Sequence, residues 1–297
     1  MMNEEILKLT GLDKWHKYEG ERGLSVAFEG FDTGKPSLGG MATDARKIET
    51  DKSDHGYCHA MIVHTFLPKR RIVILDKSDE NMRKYSLPYM LKHKPDTAGR
   101  SESYRAKRDP VDGMTEVTKF CSIFLSSGDK ADAYYNSLID LPYNIGVGAV
   151  SLKNGKVIVE NYTAKAKNVW FSGFADLHYL NDAGELVAFD GTSCACPFVE
   201  SQAAKVNELV IGRAGHSISA DQMKAFFKSH RIDAGTVGFD QYTGWGYIKL
   251  PKPDTAWREL TNLCKIGQDL YDTVGENHPH TAAYYLSVEK TWRLPDD

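Results

Sequence analysis

Short apolar runs alternate with segments of helical periodicity along most of the chain, and this alternation predicts an α/β fold. Its natural form is a central, mainly parallel sheet with helices on both faces. The runs at 24–28, 71–75, 120–125 and 145–150 are apolar and bounded by turns or charges, as strands covered on both faces are. Asn154-Gly155 predicts a hairpin that sends 156–160 back. Helical patterns begin near His55 and cover 79–93, interrupted at Pro88, and 111–119. A longer amphipathic helix follows Gly191, with Phe198, Val199, Gln202, Val206, Leu209 and Val210 on a stripe close to 3.6 residues. Ser219-Ala220-Asp221-Gln222 reads as a capping box ahead of Met223, Phe226 and Phe227. A last helix is predicted over 256–271.

The chain has 297 residues, enough to bury one large core or two small ones. It is 41% hydrophobic and 26% charged, as soluble globular proteins are. A net charge of −3 gives no reason to expect nucleic acid or a membrane surface as partner. No apolar run reaches transmembrane length. Met1-Met2-Asn3-Glu4-Glu5 is acidic and lacks the basic-then-apolar order of a signal peptide. Five cysteines (Cys58, Cys121, Cys194, Cys196 and Cys264) are an odd number, which fits free thiols in a reducing compartment better than a disulfide framework. The expected location is therefore cytoplasmic.

Three blocks carry residues suited to acyl transfer. Gly191-Thr192-Ser193-Cys194-Ala195-Cys196-Pro197 places a serine between a turn and the start of a helix. Backbone N–H groups there face incoming negative charge, the setting an oxyanion needs. Leu24-Ser25-Val26-Ala27-Phe28-Glu29-Gly30-Phe31-Asp32-Thr33-Gly34 is an apolar strand that leads to an acid and a turn. Asp54-His55-Gly56-Tyr57-Cys58-His59-Ala60 opens a helix with a histidine. A serine needs a base to take its proton, an imidazole can do so near neutrality, and a carboxylate can fix the imidazole's tautomer.

In this order and these contexts, Asp32, His55 and Ser193 resemble the triad of the subtilisin-like serine proteases. The resemblance extends over roughly residues 20 to 252, and Gly244-Trp245-Gly246-Tyr247 resembles the glycine-rich segment closing many such domains. It implies a three-layer subtilisin-like catalytic domain over 1–252, with 253–297 as a helical extension packed on it. The implied activity is peptide-bond hydrolysis on a polypeptide substrate, with Ser193 as nucleophile, His55 as base and Asp32 orienting His55. The backbone N–H of Ser193 would be one oxyanion donor. No cofactor or metal is implied, and no acidic loop suits calcium. Secreted members carry a folding propeptide; with about 20 residues before the first strand, the chain either folds unaided or is a mature form.

Each residue also has a plainer reading. Asp32 is by itself a turn residue, and a lone Asp-Thr-Gly would need a dimer for two-aspartate chemistry. His55 and His59, with Asp51 or Asp54, have metal-ligand spacing, while His59 alone reads as a packing residue behind the site. Ser193 could simply cap a helix. Cys58, Cys194 and Cys196 read as small packing residues; the alternatives are thiols activated near a helix N-terminus and, for Cys194, the nucleophile itself. The clusters 69–71 and 105–108 read as solvated faces, the latter with self-cleavage as an alternative.

Three departures from the family pattern bear on activity, one of them Tyr57-Cys58, where the family usually has Thr before the second histidine. Where a side-chain amide completes the oxyanion hole, the sequence Phe124-Leu125-Ser126-Ser127-Gly128-Asp129 offers Asp129. An ionised carboxylate accepts hydrogen bonds and cannot donate one. Asp129 is therefore a protonated donor, as in a prohormone convertase of the family with aspartate there; or catalysis is slow and confined to one tethered or self substrate; or the protein is a pseudoprotease that binds or regulates. Ser126, Ser127 and Gly128 would form one wall of the first specificity pocket. The family's substrate-pairing segment falls at about 97–103, where its motif is not preserved. The sequence leaves the oligomeric state open.

Overall fold

In a computed structural model the described residues are 3–28, 42–44, 55–75, 82–101, 112–130, 139, 141, 144–166, 168–181 and 183–274. Asp32, Asp51, Asp54 and the cluster 105–108 lie outside them, as do 79–81 and 102–103.

The elements follow in chain order as α1 (Glu4–Leu9), β1 (Leu24–Phe28), β2 (Ala42–Asp44), α2 (His55–Phe66), β3 (Arg71–Leu75), α3 (Leu87–His93), β4 (Thr97–Arg100) and α4 (Met114–Val117). Next come β5 (Ser122–Ser126), β6 (Asn144–Lys153), β7 (Lys156–Val159), β8 (Val169–Phe174), β9 (Leu177–Leu180) and β10 (Leu186–Phe189). The chain continues through α5 (Gly191–Ala214), α6 (Ala220–Ser229), β11 (Arg231–Ile232), β12 (Tyr247–Ile248) and α7 (Pro253–Val274). A π-helical turn, Met82–Ser86, precedes α3, and Pro88 stands in the first turn of that helix, where proline is tolerated. The helix predicted at 111–119 shrinks to the single turn α4.

One ten-stranded sheet runs β11-β12-β8-β6-β5-β4-β1-β3-β2, with β7 on the far end of β6. The pairs from β12 to β2 along this order are all parallel. Asn154 (φ 53°) and Gly155 (φ 71°) both adopt the left-handed conformation, and β7 returns antiparallel on β6 as the dipeptide predicts. β9 and β10 form a separate hairpin. One hydrophobic cluster joins α2, α5 and α6 to the sheet; a second, on the opposite side, joins β1, β3 and β5 to Met90, Met114 and Val117.

α5 departs from the expected amphipathic helix: every residue from 191 to 210 is buried. A polar side chain survives such burial only with a partner, and each has one. Gln202 Nε2 donates to the Ile248 carbonyl at 3.1 Å, and Asn207 Nδ2 to that of Asp96 at 3.0 Å. Lys205 Nζ donates to the Trp15 and Tyr18 carbonyls. Glu208 accepts from the Arg22 guanidinium and backbone N–H. Polar residues around this helix mark attachments to the rest of the protein rather than a solvent face. α7 packs beside it through buried Ala256 and Leu260, with Arg213 on Asp254 at 2.6 Å.

The cluster 69–71 needs a correction. Lys69 and Arg71 are exposed, but Arg70 is fully buried and pairs with Asp96 at 2.6 Å. A guanidinium can lie at the sheet end because Asp96 neutralises it while Ser25 accepts from its Nε at 3.0 Å.

Candidate active site

Ser193 is the third residue of α5, so its N–H is among the first four of the helix, which have no intrahelical acceptor. It is 9% exposed. Its hydroxyl donates to the Ser101 carbonyl at 2.9 Å, and the Ser101 hydroxyl donates to the Ser193 carbonyl at 2.9 Å. The second bond has a local cause. Pro197 lacks the N–H that would bond the carbonyl four residues back, and that carbonyl belongs to Ser193. Ser101 supplies the missing donor, so the helix survives a proline in its second turn.

His55 is half-buried at the start of α2. Its ring lies edge-on to Phe189 at 5.7 Å between centroids, and Phe189 ends β10 two residues before α5. α2 packs on α5 through Phe66 and Phe198, 5.2 Å apart. His55 and Ser193 thus head two helices that pack together, with His55 beside the entrance to α5. Asp32 falls beyond the end of β1, outside the described residues.

Asp129 is exposed and faces the same helix start. Its Oδ1 accepts from the Thr192 backbone N–H and from the Thr192 hydroxyl, both at 2.7 Å. Thr192 Oγ1 in turn accepts from the Gly128 N–H at 3.1 Å. Asp129 therefore caps α5 from another element, whereas Asp190, at the nominal cap position, makes no capping bond. The Asp129 Oδ2 lies 2.7 Å from where a side chain on Gly191 would start, and Gly191 has φ +79°, so glycine suits the position twice over.

Ser126 ends β5, and Ser127 and Gly128 follow, the serines fully buried. The Ser127 N–H donates to the Val147 carbonyl at 2.9 Å, which leads the segment from the sheet to Asp129. The substrate-pairing stretch placed at 97–103 needs trimming. β4 is interior, paired with β1 on one side and β5 on the other, so Thr97 to Gly99 have no free edge. Ser101, just past the strand, is the first residue of that stretch outside the sheet.

The cysteines near the site are thiols, not disulfides. Cys194 and Cys196 are fully buried, and burial pushes the Cys194 thiol well up, opposite to what an activated nucleophile requires. Among the described residues no group of three or more metal-binding side chains gathers, and none of the helices is long and apolar enough to cross a membrane.

Sequence reasoning placed His59 behind the site but missed its partners Ser101 and Glu200. His59, four residues after His55, sits with Nε2 2.8 Å from Glu200 Oε2 and Nδ1 2.7 Å from Ser101 Oγ. Both ring nitrogens are engaged, which removes His59 from the metal-ligand reading. Glu200 was legible as a charged residue within a largely apolar helix, but its partner was not. Its other oxygen accepts from Thr97 at 3.0 Å. A side chain on Gly99 would collide with this carboxylate and with the His59 ring, so only glycine fits there.

No family model and no curated protein matches this sequence. Solved structures match in fold. The prenylagaramide maturation protease PagA superposes with a TM-score of 0.66 at 16% identity, over 85% of this chain and 99% of that one. A lanthipeptide protease gives 0.62 at 16% identity, over 86% and 96% of the two chains. Fervidolysin from Fervidobacterium pennivorans, a keratinolytic enzyme related to subtilisin, gives 0.64 at 17% identity, over 83% of this chain and 44% of that one. The chain has the subtilisin-like α/β fold.

Proposed function

We propose that the protein is a serine endopeptidase that hydrolyses a polypeptide through Asp32, His55 and Ser193. Ser193 attacks the peptide carbonyl, His55 takes its proton and returns it to the leaving amine, and Asp32 holds the imidazole. The Ser193 N–H meets the oxyanion, and Ser126, Ser127 and Gly128 line the first specificity pocket. The observation that carries this reading is Ser193 in the first turn of a buried helix that begins two residues after Phe189, whose ring meets that of His55. Neighbours of the same fold include two peptide-processing enzymes, a lanthipeptide protease and a maturation protease. On this reading the substrate range is narrow or self-directed, as the aspartate in place of an oxyanion donor suggests.

A second reading is a catalytically weak protein that binds or regulates on the same fold. It is favoured by Asp129, whose Oδ1 is an acceptor toward Thr192. Losing one oxyanion donor costs roughly 10²–10³ in rate. Fluorophosphonate labelling of wild type beside Ser193→Ala, with the modified peptide mapped by mass spectrometry, separates the two. Labelling confined to Ser193 is expected; a folded wild type that takes no label overturns the hydrolase.

A further inference from the structure

Behind Ser193 a line of polar side chains crosses the buried interface between β4 and α5. Thr97, Gly99 and Ser101 alternate along the chain and so face the same way, toward α5. Ser101 meets Ser193, Gly99 underlies the His59–Glu200 pair, and Thr97 bonds Glu200. The His59 and Glu200 side chains are each 1% exposed. Such a pair is costly to bury unless its remaining hydrogen-bonding sites are filled.

Counting protons along this line assigns the donors. Arg70 Nε donates to Ser25 Oγ, leaving the Ser25 proton for Thr97 Oγ1 at 2.8 Å and the Thr97 proton for Glu200 Oε1 at 3.0 Å. A hydroxyl has one proton to give. Ser101 gives its proton to the Ser193 carbonyl, which Pro197 has deprived of its helical donor. Ser101 Oγ is then an acceptor toward His59 Nδ1. Nδ1 therefore carries a proton, and one further proton lies between Nε2 and Glu200 Oε2, 2.8 Å apart.

We propose that His59 and Glu200 form a buried charged positioning pair which, through Ser101, seats the Ser193 hydroxyl and carbonyl. The proposal rests on Ser193 being the nucleophile only in its consequence for rate. The pair touches no substrate. It fixes the Ser101 hydroxyl, whose own carbonyl accepts the Ser193 proton in the resting state, so the nucleophile's rest position is set by a second imidazole–carboxylate pair.

The test uses full-length wild type, E200Q, S101A and the double variant H59Q/E200Q, the last removing both charges together in case one alone unfolds the protein. Ring ¹⁵N spectra are recorded at the pH of the labelling reaction, with the His59 signals identified by their loss in the double variant. Two protonated ring nitrogens in wild type and one in E200Q are expected. Fluorophosphonate labelling of folded variants is expected to slow about tenfold to a hundredfold in kinact with KI unchanged, the mark of a misplaced nucleophile rather than lost binding. In a crystal structure of E200Q the Ser193 hydroxyl is expected to leave the Ser101 carbonyl. A singly protonated His59 in wild type, or folded E200Q and S101A labelling at the wild-type rate, overturns the proposal. A wild type that takes no label overturns the hydrolase reading alone; the ring spectra and the E200Q structure still decide the pair.

Discussion

Asp129 secures the start of α5 from outside the helix. Its Oδ1 ties down the Thr192 N–H and hydroxyl at the first turn of α5. An asparagine keeps that acceptor through its own Oδ1 and adds an N–H donor in place of Oδ2, at every pH. Asp129→Asn is therefore expected to leave the cap intact and to hold or raise the labelling rate of Ser193, with the gain extending to higher pH. A large loss of rate in the folded variant would mean that the carboxyl performs a task an amide cannot, and the donor reading would fall.

Among the elements, α6 has a start whose capping bonds were readable residue by residue. The Ser219 N–H donates to Gln222 Oε1 at 2.8 Å, and the Gln222 N–H donates to Ser219 Oγ at 3.3 Å, the reciprocal pair of a capping box. The Ala220 N–H reaches the Thr118 carbonyl at 2.9 Å, which anchors this helix to the turn ahead of β5. Ser219→Ala is expected to destabilise the protein by about 1 kcal/mol in urea unfolding. Labelling of Ser193 should be unchanged, since the cap lies at another helix. α5 obeys a different rule: its start is secured by the Asp129 side chain, its end closes on the Gly215 N–H, which donates to the Ile211 carbonyl, and its interior tolerates Pro197 because Ser101 replaces the missing donor.

For the whole molecule, Lys205 is a buried side chain through which pH is expected to act on stability. It reaches from the middle of α5 to the carbonyls of Trp15 and Tyr18, and so holds the N-terminal segment against the core. Trp15 completes that attachment by donating to the Pro251 carbonyl at 2.9 Å. Burial pushes the Lys205 ammonium down to about 8, from 10.5 in the open chain. A neutral amine still has two N–H groups for the two carbonyls. Below pH 8 both states hold the proton and the fold bears its full burial cost. Between pH 8 and 10.5 the unfolded chain keeps the proton that the folded chain has released, so rising pH favours the fold. That contribution amounts to about 3 kcal/mol across the window. Wild type compared with Lys205→Met in urea titrations at several pH values should show the steeper rise in wild type, since the buried Lys224 contributes to both; parallel curves would show that Lys205 does not titrate there.

Much of the architecture could be read from local pattern. The runs at 24–28 and 71–75 are strands with those bounds, Asn154-Gly155 is the hairpin turn, and a serine after Gly-Thr does enter a helix. These depend on residues adjacent in the chain, where periodicity and turn preference act directly. The local β9–β10 hairpin was not predicted. Nor were the strands β8, β11 and β12, because pairing with distant neighbours, rather than intrinsic preference, makes them strands. The same distance in sequence hid the surroundings of Ser193. Glu200 meets His59 from 141 residues away, and Ser101 meets Ser193 from 92. A buried charge shows in a sequence only as a charged letter in an apolar helix; its partner is chosen when β4, α2 and α5 pack, because only then does the loss of water force each polar atom to find another.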